Sequence, residues 1–134
     1  MTELIIDATN ATLGRLASYA AKQSLLGKKI IILNSEKAIV TGRKNFTIED
    51  YKEKRRKVGV ALRGPFFANT PEKIVKRTIR GMLPDHRQGR GRDAFKRIIC
   101  YQGIPEEYKD KKAIKAGKEK SAKFITVETI SKEI

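Results

Sequence analysis

The chain has 134 residues, the length of one domain, and sets 30 lysines and arginines against 15 acids, for a net charge of +15 and a pI of about 10.1. A charge this large repels itself in the folded monomer and selects a polyanion rather than a small-molecule substrate, and with no basic amphipathic segment carrying an aromatic and leucine-rich face no membrane is expected. A single cysteine, Cys100, leaves no internal disulfide and no cysteine-based zinc site, no apolar run approaches membrane-spanning length, and Met1–Asp7 lacks the build of a secretory signal, so an intracellular, soluble protein without metal or cofactor is expected.

The first 51 residues hold seven basic and five acidic side chains, which leaves +13 of the +15 to the remainder and marks the first third as scaffold. Residues 4 to 7, Leu-Ile-Ile-Asp, are too short for a helix and read as a buried strand running into the turn Ala8–Ala11. Thr12 suits an N-cap, Leu13, Leu16, Ala17 and Ala20 recur at helical spacing, and Gly27 closes the helix. Ile30–Leu33 completes a parallel βαβ unit with a right-handed crossover. Ala38–Thr41 is a third apolar run, expected in the same sheet, and Gly42, Arg43 and Lys44 end it.

Thr47 is expected to cap a helix from about 48 to 57, with Glu49 and Asp50 in its first turn. Lys52, Lys54, Arg55, Arg56 and Lys57 crowd its end. The helix dipole favours one or two cations there, and five in six positions point to an anionic partner. Val58–Leu62 is a short strand or an extended link. Arg63-Gly64-Pro65-Phe66-Phe67 is a loop whose aromatic rings either anchor it to the core or stack on bases.

Residues 71 to 97 concentrate the signal. Pro71 after Thr70 predicts a helix over 71 to about 82, with Val75, Thr78, Ile79 and Met82 as its apolar stripe. Lys73, Lys76, Arg77 and Arg80 fall at i, i+3, i+4 and i+7 on the opposite face. Leu83-Pro84 stops the helix, and Asp85 to Arg92 reads as a polar loop carrying Arg87, Arg90 and Arg92, whose planar guanidinium forks suit phosphate oxygens. A short helix near 92 to 97 holds Lys96 and Arg97, and Ile98–Tyr101 is a fourth strand. From Lys109 to Lys123 there are seven lysines and two acids, a solvent-facing helix or arm within a lysine-rich extension at about 109–134. Val127, Ile130 and Ile134 are spaced for one face of a final helix docking on the body.

An enzyme with a βαβ start would hold a nucleotide after the first strand, and that is the competing expectation, a small nucleotide-binding enzyme. Thr9–Arg15 carries neither G-x-G-x-x-G nor G-x-x-x-x-G-K-[ST], and its one glycine, Gly14, lies within the helix, where a large residue would crowd the sheet. His86, the only histidine, has no sequence neighbour to make it a base or a ligand. No catalytic residue is assigned. The anion-binding set is Arg43, Lys44, Lys54, Arg55, Arg56, Lys57, Arg63, Lys73, Lys76, Arg77, Arg80, Arg87, Arg90, Arg92, Lys96 and Arg97.

Three ordered motifs give the chain a relative. Asp7-Ala8-x-x-Ala11-x-Leu13-Gly14-Arg15-Leu16-Ala17, then Asn34-Ser35-Glu36-Lys37 leading to Val40-Thr41-Gly42, and Arg80-Gly81-Met82-Leu83-Pro84 resemble the universal ribosomal large-subunit protein thirteen family. Gly103-Ile104-Pro105 extends the match, and the absence of an insertion before the second strand fits the archaeal and eukaryotic branch. The resemblance implies a three-layer α/β/α domain spanning 1–134 with a four-stranded, largely parallel sheet of order 3-2-1-4. It also implies a non-catalytic, structural role in the large subunit of the cytoplasmic ribosome, bound to large-subunit ribosomal RNA beside neighbouring ribosomal proteins and supporting subunit assembly.

Overall fold

A computed structural model of the chain describes residues 2–57, 67–115 and 123–134. Strand β1 (Glu3–Asp7), helix α1 (Leu13–Leu25) and strand β2 (Lys29–Leu33) form the expected parallel unit, with Leu4 opposite Ile30 and Ile6 opposite Ile32. α1 buries Leu13, Leu16, Ala17, Ala20, Ala21 and Ser24 along one stripe, and the chain leaves it through Gly27 at φ +97°, a left-handed conformation that only glycine adopts without strain. Strand β4 (Ile98–Cys100) lies parallel to β2, and β5 (Ile114–Lys115) lies parallel to β1 on the other side. The sheet order β4-β2-β1-β5 is therefore 3-2-1-4 among its own strands.

The run at 38–41 is not one of them. Strand β3 (Ile39–Thr41) pairs antiparallel with β6 (Phe124–Thr126) in a separate two-stranded sheet, which corrects the expectation of a third strand in the main sheet. Only a 3-10 turn, Ser35–Lys37, separates β2 from β3, and a parallel neighbour needs a crossover of a dozen residues or more. The chain instead swings across the start of α1, where Thr12 and Ile39 form an isolated bridge.

Both faces of the sheet are covered, as the near-continuous isoleucine runs require. Ile6, Ile30, Ile32 and Ile98 pack with α1 and with Ile74, Val75 and Ile79 of helix α3 (Pro71–Arg80). On the other face, the 3-10 turn Glu106–Tyr108 lays Tyr108 over Ile5, Ile31 and Leu33. The α/β/α layering follows, with that second helical layer reduced to one turn among the described residues.

Four boundaries differ from expectation. Helix α2 (Lys44–Arg56) begins before Thr47, which is buried in its first turn with its amide bonded to the Arg43 carbonyl at 3.0 Å and is no cap. α3 ends at Arg80, two residues short of expectation; Met82 lies beyond the last turn and is 44% exposed, while Ile74 fills the stripe at 1%. Helix α4 (Gly89–Lys96) absorbs half of the predicted arginine loop. Its Gly91 is buried so tightly that a Cβ there would overlap the carbonyl oxygens of Pro84 and Asp85. Within the lysine-rich stretch, Ile114 and Lys115 form β5, and residues 116–122 lie outside the described set, as do Val58–Phe66. Helix α5 (Val127–Glu133) docks as predicted through Val127 and Ile130, capped by the Thr126 hydroxyl, which accepts from the Thr129 amide at 3.3 Å.

Candidate nucleic-acid interface

α3 is wedged against α1, β4 and α5, so its inward face is fixed by isoleucine packing and its outward face by default. Pro71 starts it without losing a hydrogen bond, since the first amides of a helix have no partner within it. Lys73 is exposed and Lys76, Arg77 and Arg80 are half-exposed; all four line one shallow groove of about 190 Å³ whose floor is Ala68 and Phe95. Lys73, Lys76 and Arg80 form no ion pair among the described residues. The predicted cationic face exists.

Aromatic rings hold these cations, and sequence spacing did not reveal them. The Lys76 ammonium lies 4.9 Å from the centre of the Phe95 ring, which itself meets His86 edge-on at 5.8 Å. The Arg77 guanidinium lies 4.7 Å from the Phe67 ring, and Phe67 meets Tyr51 of α2 edge-on at 5.5 Å and 70°. Lys54 completes the row 5.0 Å above Tyr51. Partial burial, with Arg80 alongside, pushes the Arg77 guanidinium below its usual range, and burial beside Asp50 raises the Tyr51 phenol. Phe67 is 8% exposed, so it anchors its loop and is no free stacking platform; Phe66 lies outside the described residues. Adjacent aromatic and basic residues on facing helices were the available signal.

The remaining predicted residues separate into groups. Lys54 and Lys57 approach α3 across a second pocket of about 360 Å³, but each also pairs with an acid one turn back on α2, Asp50 at 3.2 Å and Glu53 at 3.7 Å. Arg56 is exposed nearby, with Lys52 and Arg55 around a shallow pocket against Ile134. Arg55 donates from Nη1 to the main-chain oxygen of Ile134 at 2.8 Å, and Arg97 from Nη1 to the Ser24 carbonyl at 3.0 Å, in the last turn of α1. Both therefore have structural employment. Arg43 and Lys44 are exposed at the far end of α2, about 15–20 Å from its basic terminus at 1.5 Å per residue. Arg87 sits in the loop before α4, and Arg90, Arg92 and Lys96 are exposed on α4. Arg63 lies outside the described residues.

The turn after β1 is closed to phosphate. The amides of Thr9, Asn10 and Ala11 donate to the Asp7 carboxylate at 3.0 Å, the Lys37 carbonyl at 3.1 Å and the Ala8 carbonyl at 3.0 Å, so the donors a nucleotide would use are taken. Burial raises the Asp7 pKa, but bonds from the Thr9 hydroxyl and amide and from Asn34, with the charge of Lys115, outweigh it and hold the carboxyl below its usual range. An anionic carboxylate occupies the place of the anion. A Cβ on Gly14 would meet nothing within 4 Å, so a methyl group there would not crowd the sheet. Among the described residues no cluster of His, Cys, Asp and Glu could hold a metal ion, and no helix is long and apolar enough to cross a membrane.

Comparison with known proteins finds relatives that align with most of the chain. The family model described as Ribosomal protein L13 matches residues 1–107. The large ribosomal subunit protein uL13 of Archaeoglobus fulgidus is 41% identical over 96% of this chain and 85% of its own length. Its counterpart in Methanocaldococcus jannaschii is 42% identical over 97% and 96%, and that of Methanococcoides burtonii 40% over the same shares.

Proposed function

The chain belongs to the ribosomal protein L13 family, and from that premise we propose that it is a structural, non-catalytic constituent of the large subunit of the cytoplasmic ribosome. It binds large-subunit ribosomal RNA through arginine and lysine contacts to phosphates, supports subunit assembly, and abuts neighbouring large-subunit proteins. One observation carries this: Lys73, Lys76, Arg77 and Arg80 line a single groove on the outer face of a helix whose inner face is fully buried. Phosphates repeat along a strand, and a rigid row of cations matches that repeat while reading little base identity. The occupied amides after β1 leave the nucleotide-binding enzyme without its phosphate cradle.

Sucrose-gradient fractionation tests the proposal. The protein should sediment with large subunits and leave them only at high salt. A protein that stays at the top of the gradient at low salt, and whose melting point rises with a mononucleotide, would reverse it.

A further inference from the structure

The 360 Å³ pocket between the end of α2 and α3 differs in kind from the groove beside it. Its walls are Tyr51, Phe67, Thr78 and the main chain at Gly81, and its mouth is set with Lys54, Lys57 and Arg77. Its volume sits at the low end of the roughly 300–1,000 Å³ that small-ligand sites occupy, so it admits one small aromatic group and excludes a duplex. Resting on the RNA-binding role proposed above, we infer that this pocket receives the base of a single unpaired nucleotide.

Three features favour that occupant. The half-buried Tyr51 ring is fixed edge-on by the buried Phe67 ring, and its face is a preorganised surface against which any base can lie. Lys54 and Arg77 stand over those rings at the same pocket, so a nucleotide whose base enters it brings its own phosphate to two cations. Arg77 lines both this pocket and the groove carrying Lys73, Lys76 and Arg80, so a strand with one base inserted continues its backbone across α3 onto further cations. A protein side chain entering the same pocket would leave that row unmatched.

Gly81 provides the test. It has φ −66°, and a Cβ there would sit 3.6 Å from the Thr78 carbonyl oxygen and 3.9 Å from that of Arg77, ordinary contacts, so Gly81→Leu fills the pocket without straining the helix end. The probes are two hairpin RNAs of equal length and charge, one fully paired and one with a single 2-aminopurine bulge. The unsubstituted protein should bind the bulged hairpin about tenfold or more tightly and quench its fluorescence, as loss of one base–aromatic stack implies. Gly81→Leu should abolish preference and quenching together, while affinity for the paired hairpin and the salt slope stay as they were. Equal binding of the two hairpins by the unsubstituted protein, or a preference that survives Gly81→Leu, overturns the inference and leaves the phosphate contacts standing. Failure to bind either hairpin at low salt overturns both.

Discussion

Ile79 and Arg80 are adjacent in sequence and on opposite surfaces of α3, and replacing each by alanine separates what the two surfaces do. Ile79 is 0% exposed, packed in the cluster that joins α1, α3 and the sheet. Alanine removes three carbons, worth about 2.4 kcal/mol at roughly 0.8 kcal/mol each, and the cavity left between well-packed elements raises the expected cost to about 3–4 kcal/mol. For a domain of this size that corresponds to a fall in melting temperature of about 10–15 °C. RNA affinity per folded molecule should hardly change. Arg80→Ala should alter stability by less than about 0.5 kcal/mol, weaken RNA binding, and lower the slope of log affinity against log salt by about one. Arg77→Ala falls between them, because its guanidinium also covers the Phe67 ring, a contact worth about 0.5–1 kcal/mol. Calorimetric melts and RNA titrations at several salt concentrations check all three. An Ile79→Ala protein that melts within about 2 °C of the parent, or an Arg80→Ala protein that loses more stability than it does, would show that the burial argument for α3 is wrong.

Gly91→Ala should cost about 1–3 kcal/mol in chemical denaturation, since its methyl group would overlap main-chain atoms of Pro84 and Asp85 that cannot move independently. Arg97→Ala should remove about 1.5–3 kcal/mol by deleting the charged hydrogen bond to the Ser24 carbonyl, which keeps only the Gly27 amide, yet leave the RNA salt slope unchanged; a reduced slope would return Arg97 to the interface. Burial pushes the Cys100 thiol up from its ordinary 9.0 to about 12, against a downward pull from Lys76 and with a further rise from Glu72. The folded chain thus keeps a proton that the unfolded chain gives up, so stability should fall as pH rises from about 9 to about 12, and Cys100→Ala should flatten that part of the profile in denaturant titrations. Salt should act with opposite signs on the free and bound protein: it screens the repulsion of a +15 chain and raises its melting temperature, while affinity for RNA falls with a slope equivalent to about 6–10 phosphates. A flat response in titration would remove the phosphate contacts from the account.

The parts legible in sequence were those whose signal is local. β1, α1, β2 and α3 each show their period within a dozen residues, and their caps and stops are proline, threonine and glycine at the usual positions. β3 was legible as a strand but not as to its partner, because β6 lies more than 80 residues downstream and nothing in Phe124–Thr126 announces the pairing. β5 escaped notice because two residues in a lysine run carry no alternation, and the strand exists only because β1 offers a free edge. The cationic face of α3 was visible in its spacing, whereas its aromatic supports come from Tyr51, Phe67 and Phe95 on three other segments. Arg55 and Arg97 look in sequence like any phosphate-binding arginine. Their carbonyl partners, 79 and 73 residues away, give them other work.

That division of labour explains how so basic a chain folds and still presents a defined charged surface. Glu3 meets Lys29 and Lys111, Asp50 and Glu53 meet Lys54 and Lys57 at the end of α2, and Glu128 meets Lys132, so several acids offset cations that α3 does not carry. Arg55 and Arg97 are drawn inward to main-chain oxygens at the last residue of the chain and in the last turn of α1. On α3 itself Lys73, Lys76 and Arg80 have no acid within ion-pair distance among the described residues, and repulsion between them is tolerated because Ile74, Val75 and Ile79 hold the helix from the other side. The rings of Phe95 and Phe67 orient Lys76 and Arg77 without neutralising them. The spacing of these charges is thereby set when the chain folds. A polyanion that docks on them meets a rigid row and loses less of its binding free energy to ordering the protein than it would on a flexible basic tail.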